Sequence, residues 1–202
     1  MKSLYLVLLL VVLAMAVPFA AADTILLTSN NLGISATIGS VTMTQQAGGV
    51  MVTLQANSGY SFKLAGGDIA FFTSGTLSSS NIKNLLIDNK YSAKFSLDSD
   101  KNVSKFGRFT YDLANLKKGS LPHGYVAAST ISFLISKATL AQLQPYNWAV
   151  HFCVNGGAGT CPGTTGFASN GPPSTVPEPG TLSLLGTGIL GLAGLFRRRL
   201  LS

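Results

Sequence analysis

Few residues in this sequence can do acid–base chemistry. Outside its two ends the chain has two histidines, His123 and His151, six aspartates and no glutamate. A catalytic site needs an acid, a base and often a nucleophile within hydrogen-bond reach of one another. No spacing among these residues indicates such a group, and no G-x-S-x-G elbow accompanies the many serines. The sequence therefore predicts no catalytic residue, no cofactor and no enzymatic activity, and a hydrolase built on paired aspartates is kept as a third alternative.

Two other patterns could bind ligands. Residues 98–102 begin like a calcium-binding loop, but Val103 and Phe109 stand where that loop has its glycine and its closing glutamate. A hairpin turn is the preferred interpretation, and a weaker surface calcium site stays open. Four tyrosines could stack on sugar rings, although tyrosines in β-domains more often pack half-buried. These are Tyr60, Tyr91, Tyr125 and Tyr146.

Short strands are the elements that would position these residues. Between residues 23 and 167, apolar and polar residues alternate in runs separated by glycine, asparagine and serine, which is typical of an all-β protein. Val50, Val52 and Leu54 share one face of such a run. The same alternation is found in Ile34, Ala36 and Ile38; in Phe109, Tyr111 and Leu113, with Arg108, Thr110 and Asp112 between them; in Ile131, Phe133 and Ile135; and in Trp148, Val150, Phe152 and Val154.

These runs predict one antiparallel β-sandwich domain over residues 23–167, with about eight to ten strands. Gly39 and Ser40 are predicted to form a bulge or turn. One helix is predicted over residues 137–143, with Ser136 as its N-cap and Pro145 ending it. Residues 168–175 are rich in Gly, Pro, Ser and Thr and are predicted to form a flexible spacer.

The net charge of +7 does not indicate a nucleic-acid partner. Four of the cations, Lys2, Arg197, Arg198 and Arg199, belong to the two ends of the chain. The other ten are scattered singly apart from Lys117 and Lys118, so they form no stripe that could follow a phosphate backbone. Solvated surface lysines are the preferred interpretation.

The N-terminus has the pattern of a signal peptide over residues 1–22. Lys2 precedes an apolar run over residues 4–17, Pro18 interrupts it, and Ala20 and Ala22 supply the small residues that signal peptidase requires. The mature chain is predicted to begin at Asp23. A retained membrane anchor is the alternative, but the run is short and ends in a cleavage pattern.

Export bears on the two cysteines, Cys153 and Cys161, which are separated by seven residues that include three glycines. An exported chain meets an oxidising compartment, where such a pair forms a disulfide. We therefore predict a Cys153–Cys161 disulfide. A metal site that includes His151 is the alternative, but it lacks enough ligands for the usual four.

The C-terminal part has the composition of a membrane segment. Residues 182–196 contain no charge, which predicts a single transmembrane helix of about 22 Å. Arg197, Arg198 and Arg199 follow it as a membrane stop signal that fixes this end on the cytoplasmic side. Pro177, Glu178 and Pro179 precede it, and the two prolines keep this stretch extended and accessible.

This order of Pro-Glu-Pro, apolar helix and arginine cluster over residues 176–202 resembles the PEP-CTERM sorting signal. The resemblance implies that Pro177, Glu178 and Pro179 form the motif recognised by an exosortase, a membrane-embedded enzyme of Gram-negative bacteria that make exopolysaccharide. The same tail is also catalogued as an ice-binding protein C-terminal domain, but a tag shared by unrelated domains gives no information about ice. A plain stop-transfer linker is the alternative.

Together these features predict an exported, non-catalytic protein of the cell surface or extracellular matrix, with an inner-membrane sorting intermediate. Its predicted partners are signal peptidase and exosortase as processing enzymes, the membrane through the C-terminal helix, and exopolysaccharide. A carbohydrate-binding or calcium-binding surface module is the alternative function.

Overall fold

The computed structural model describes residues 22–64, 66–143 and 147–171, with the side chains of residues 117–119 excluded. Apart from Ala22, the predicted signal peptide lies outside these residues, and so do the predicted sorting tail and its helix at residues 182–196. Within the described ranges, none of the helices has the length and apolar character needed to cross a membrane.

Strands make up almost all of the regular structure in the described residues. In chain order they are β1 (Ala22–Leu27), β2 (Ser29–Asn30), β3 (Gly39–Gln46), β4 (Gly49–Ala56), β5 (Tyr60–Lys63), β6 (Asp68–Phe71), β7 (Ile82–Ile87), β8 (Tyr91–Val103), β9 (Gly107–Gly119), β10 (Ala127–Ala128), β11 (Thr130–Ser136), β12 (Trp148–Val154) and β13 (Thr165–Ser169). A 3-10 turn at Ser79–Asn81 and a short helix, α1 (Leu140–Leu143), are the remaining elements. The all-β prediction is confirmed. The thirteen strands of the described residues exceed the predicted eight to ten, and two of them, β2 and β10, have only two residues each.

All strand pairs are antiparallel, and they form two layers that share β8. The first layer has the order β1-β3-β4-β11-β7, and the second has the order β9-β6-β12-β13-β2. Strand β5 also pairs with β12, and β10 pairs with β5. Strand β8 pairs with β7 through Tyr91 and Ser92, and it then pairs with β9 from Ala93 to Val103. A single long strand therefore joins the two layers at one side.

The N-terminal segment joins the two layers at the other side. Strand β1 pairs with β3 of the first layer, and β2 pairs with β13 of the second layer, although only Thr28 separates β1 from β2. Both ends of the strand order therefore lie in residues 22–30. The predicted sandwich is present with its two layers joined at both sides. In the described residues, β1 pairs only with β3, and residues 93–103 of β8 pair only with β9.

One apolar core lies between the layers. It is formed by the apolar residues at alternate positions of the strands. Val50, Val52 and Leu54 of β4 are fully buried, as predicted, and belong to the same core as Trp148 and Phe152 of β12. Trp148 stacks on the ring of Phe71, with 4.9 Å between the ring centroids. Burial of these large side chains is the main favourable term in the stability of the domain.

Two local predictions are wrong. Residues 34–38 form no strand, because the side chain of Asn30 accepts hydrogen bonds from the amides of Leu32 and Ile34 and fixes a turn there. Gly39 and Ser40 form no bulge, because they begin β3 in regular register with β4. The predicted spacer also begins later, since β13 continues to Ser169.

The predicted helix at residues 137–143 is shorter than expected. Only Leu140–Leu143 is helical, and Ser136 ends β11 instead of capping a helix. Lys137 has a φ of 64°, in the left-handed region that a right-handed helix cannot include. Its amide instead donates a hydrogen bond to the carbonyl of Gly48, which holds this turn against the β3–β4 hairpin.

Candidate functional site

The predicted targeting residues are mostly outside the described structure. Ala20, the motif of Pro177, Glu178 and Pro179, and the cluster of Arg197, Arg198 and Arg199 lie outside the described residues. Ala22 is described, and it begins β1 opposite Thr44 of β3. The predicted mature N-terminus, Asp23, therefore lies at the start of the folded domain.

The predicted disulfide between Cys153 and Cys161 is present, with 5.5 Å between the Cα atoms. Cys153 is buried on β12, and Cys161 follows a tight turn closed by the pair Gly157 and Thr160. The carbonyl of Thr160 accepts a hydrogen bond from the hydroxyl of Ser61 on β5, so the loop is also held from the side. The disulfide secures the end of β12 to the loop that precedes β13.

The tyrosines considered for sugar stacking are packing residues where the structure describes them. Tyr60, Tyr91 and Tyr125 are half-buried and pack against the main core, and Tyr146 lies outside the described residues. Tyr91 and Tyr125 contact each other edge to face, with centroids 5.3 Å apart. The hydroxyl of Tyr125 donates to the carboxylate of Asp88, and burial followed by this hydrogen bond raises the pKa of Tyr125.

The calcium-like stretch at residues 98–102 lies within β8 and forms neither a loop nor the predicted hairpin turn. The turn comes later, at residues 104–106. Asp100 has a φ of 58° and forms an exposed ion pair with Arg108 at 2.8 Å. In the described part of the chain, no group of three His, Cys, Asp or Glu side chains is placed to hold a metal ion.

The apolar side chains of the β8–β9 strand pair change from one face of the second layer to the other at Asp100. Leu97 and Leu113, which pair in register, belong to the main core. Beyond Asp100, Val103 and Phe109 belong instead to a second apolar cluster on the outer face of the second layer. The remaining buried members of this outer cluster are Ala70 and Ala149, and Phe72, Phe106 and Phe167 pack against it. Phe109 was predicted to share a face with Tyr111 and Leu113, and this change of face separates it from them.

Three charged side chains meet beside this outer cluster, and we call them the charged triad: Asp68 of β6, Lys101 of β8 and Asp112 of β9. The Nζ atom of Lys101 lies 3.0 Å from Oδ1 of Asp68 and 3.2 Å from Oδ2 of Asp112. The side chain of Lys101 is 32% exposed, that of Asp68 is 16% exposed and that of Asp112 is 0% exposed. The sequence placed Asp112 on the polar face with Arg108 and Thr110, so its complete burial is a correction.

The charges of the triad are unbalanced, because two carboxyl groups contact one ammonium group. Burial, followed by the negative charge of Asp68, raises the pKa of Asp112 to about 7, although Lys101 opposes the shift. Burial lowers the pKa of Lys101, but its hydrogen bond to Asp68 and the charge of Asp112 outweigh this, so the net shift is upward. Apart from Lys101 and Asp68, no described residue supplies a hydrogen bond to either oxygen of Asp112.

His151 on β12 flanks the charged triad. Its ring stacks on Phe167, with centroids 4.5 Å apart, and its Nδ1 lies 3.3 Å from the carbonyl oxygen of Gly66. Burial lowers the pKa of His151, and the charge of Lys63 lowers it further. His123, the other histidine, is exposed in the segment between β9 and β10, so the structure assigns the two histidines to different surroundings.

An open groove of about 380 Å³ lies along the β8–β9 strands, and Phe109 of the outer cluster forms part of its lining. Phe72, Tyr111, Asp100 and Arg108 contribute to its lining. The exposed Asp100–Arg108 pair supplies hydrogen-bonding groups beside aromatic surface, a combination that suits polar ligands with an apolar face.

No sequence signal predicted the charged triad. Its members come from three strands, and Asp68 and Asp112 are 44 positions apart. The sequence shows only that Asp112 lies within an alternating run, and an aspartate in such a run usually lies on the solvated face.

The comparisons with known proteins identify the C-terminal part of the chain. The family model of the PEP-CTERM protein-sorting motif matches residues 175–199, so the chain carries this motif. The motif implies an exported protein that is handled at the membrane and processed by an exosortase. A search of the curated proteins and a search of the solved structures return no match to the chain.

Proposed function

We propose that this protein is a non-catalytic component of the cell surface or extracellular matrix, delivered there by an exosortase-type system associated with exopolysaccharide. The observation that carries the proposal is the PEP-CTERM motif at residues 175–199, which is a protein-sorting signal. Signal peptidase is proposed to release the N-terminus, and the apolar helix at residues 182–196 to hold the sorting intermediate in the inner membrane.

The architecture of the domain supports a structural role. The Cys153–Cys161 disulfide suits an oxidising compartment outside the cytoplasm. Residues 22–30 join the two layers at one side and β8 joins them at the other, which gives one continuous framework of strands. The two histidines lie in different surroundings, so they offer no joint acid–base site.

The test compares the native chain with a chain in which Pro177, Glu178 and Pro179 are all changed to Ala, both produced in the natural host. The native chain should be recovered from the cell surface or medium, with a C-terminus near the motif. The variant should accumulate in the membrane and keep Arg197, Arg198 and Arg199. Changing Pro172 and Pro173 to Ala is the matched control, because it alters the spacer and leaves the motif intact.

Intact mass decides the outcome. A native chain found only in the membrane, with its terminal arginines in place, would make it a single-pass anchored protein and would overturn the proposal.

A carbohydrate-binding role is the second candidate, and the groove beside Phe72 and Tyr111 is the observation that favours it. Sugar rings stack on aromatic faces, and the Asp100–Arg108 pair could bind hydroxyl groups. Retention of the domain on the polysaccharide of its host, lost in Arg108→Ala and kept in Lys83→Ala, would support this role. Equal retention of both variants would count against the groove as the binding site. If the native chain were not retained, the structural role would be the one remaining candidate.

A further inference from the structure

We propose that Lys101 and Asp112 become joined by an intramolecular isopeptide bond between Nζ of Lys101 and Cγ of Asp112, with Asp68 moving the proton. The bond would cross-link β8 to β9 beneath the outer aromatic cluster. This proposal rests on the geometry of the charged triad and is independent of the proposed function.

Proximity is the first argument. The Nζ atom of Lys101 lies 3.2 Å from Oδ2 of Asp112, one bond away from the carbon that it would attack. Asp68 lies 3.0 Å from the same Nζ atom, so it can accept a proton from the nitrogen while the new bond forms. Reacting groups fixed at this separation gain a large rate advantage over the same groups in free solution.

The environment of Asp112 is the second argument. A structural ion pair in a protein interior normally satisfies the remaining lone pairs of its carboxylate with hydrogen bonds. Asp112 is fully buried, and apart from Lys101 and Asp68 no described residue supplies a hydrogen bond to either of its oxygens. Burial with so few donors favours the neutral carboxylic acid, which amines attack more readily than a carboxylate. The pKa of about 7 for Asp112 agrees with this state.

The surroundings of Asp112 complete the argument, because they keep water away from its carboxyl group. Phe109, which is 2% exposed, pairs in register with Lys101, and its ring stacks on Phe72 with centroids 4.9 Å apart. Ala70 pairs in register with Asp112 and belongs to the same outer cluster. Replacing the fully buried carboxylate of Asp112 with a neutral amide removes the cost of burying that charge.

The reaction balances without an oxidant or a cofactor. A proton passes from the ammonium group of Lys101 to the carboxylate of Asp112, which leaves a neutral amine and a neutral acid. The lone pair of Nζ then forms a bond to Cγ of Asp112, and Asp68 takes the proton that the nitrogen must lose. Asp68 returns this proton to the departing hydroxyl group, the C–O bond breaks, and water leaves. The products are one amide and one water molecule, with Asp68 unchanged.

The test is mass spectrometry of the full chain after folding, followed by denaturation, reduction and digestion with trypsin. The native chain should be lighter than its sequence by one water molecule. Trypsin should not cut after Lys101, and residues 95–105 should be recovered joined to residues 109–117. Lys101→Arg and Asp112→Ala should both have the mass of their unmodified sequences.

Two further variants separate the proposed chemistry from misfolding. Asp112→Asn should form the same amide and lose ammonia instead of water. Asp68→Ala keeps both reacting groups, so it should fold but remain mostly unlinked over the time in which the native chain reacts completely. Asp100→Asn is the matched control, since Asp100 belongs to the other ion pair of the same strands and its loss should leave the bond intact. The fluorescence of buried Trp148 reports folding in each sample.

A folded native chain with unmodified mass, cut by trypsin after Lys101, would overturn the proposal. A succinimide at Asp112 would lose the same mass of water, but it leaves Lys101 open to trypsin and produces no joined peptides, so that result would overturn the proposal as well.

Discussion

Asp88 and Tyr125 are 37 positions apart in the sequence, and the phenol of Tyr125 donates a hydrogen bond to Oδ2 of Asp88. The other oxygen, Oδ1, accepts hydrogen bonds from the amides of Ser129 and Thr130 at 2.8 and 2.7 Å. These amides lie where the chain passes from β10 in the second layer to β11 in the first. Asp88 therefore holds the corner at which the chain crosses between the layers.

Replacement of Asp88 with Ala should destabilise the domain by about 2 to 3 kcal/mol, because two backbone amides lose their acceptor in a partly buried corner. Tyr125→Phe removes one hydrogen bond and should cost about 1 kcal/mol. Urea unfolding followed by Trp148 fluorescence measures both changes. Asp98→Ala is the control, since Asp98 is exposed on β8, and an equal loss there would contradict the role given to Asp88.

Changing both Cys153 and Cys161 to Ala should lower the free energy of unfolding by about 2.5 kcal/mol, the chain-entropy value for a loop of this length. Addition of a reducing agent should produce a similar loss in the native chain and none in the double variant. If the reducing agent destabilised both chains equally, the disulfide would not be the cause.

Changing Phe133 of β11 to Ala should cost about 3 to 5 kcal/mol, because this fully buried ring lies between the layers and its loss leaves a cavity. Leu86→Ala on the neighbouring strand β7 is the matched control. Leu86 is 37% exposed, so its replacement should cost below about 1 kcal/mol. Similar losses for the two variants in urea unfolding would show that Phe133 does not lie in the core as described.

The lowered pKa of His151 predicts a pH dependence of stability. Between the pKa of His151 in the folded chain and about 6.5, the unfolded chain binds more protons than the folded chain. The contribution of neutral His151 to stability is therefore complete above pH 6.5, and it is lost as the pH falls through the pKa of the folded state. His151→Gln should remove that part of the pH dependence. The charged groups that face His151 are Lys63 of β5, Asp68 of β6 and Lys101 of β8.

Proton NMR titration measures this shift directly, because the chain has only two histidines and His123→Gln leaves a single signal. Lys63→Gln should raise the pKa of His151, since it removes a positive charge that disfavours the imidazolium. A pKa for His151 at or above 6.5 in the native chain would contradict the burial described for its ring.

Alternation in the sequence predicted the class of fold because each layer buries only one face. The residues at positions 50, 52 and 54 follow this rule, and all are fully buried. Alternation failed at Asp112, because the outer cluster of Phe109 and its neighbours covers a face that a two-layer sandwich usually leaves to solvent. The change of face at Asp100 depends on one left-handed φ, which aspartate tolerates but does not require.

Some of the candidate sites could also be predicted from the sequence, and others could not. The sorting motif could be identified from its resemblance to a known family, since a processing enzyme acts on a linear segment whose residues are adjacent in the sequence. The Cys153–Cys161 pair followed from short separation and export. The charged triad could not be predicted, because it depends on the register of three strands that meet only in the folded sheet.

The strand pairs formed by residues 22–30 set an order of events for a chain that crosses a membrane N-terminus first. Strands β1, β3 and β4 can pair as soon as they emerge, because they are neighbours in the sequence. Ser29, which is among the first residues across, pairs with Ser169, which is among the last. Translocation must therefore be nearly complete before the last strand pair can form, and the segment that follows it begins the sorting motif at residue 175.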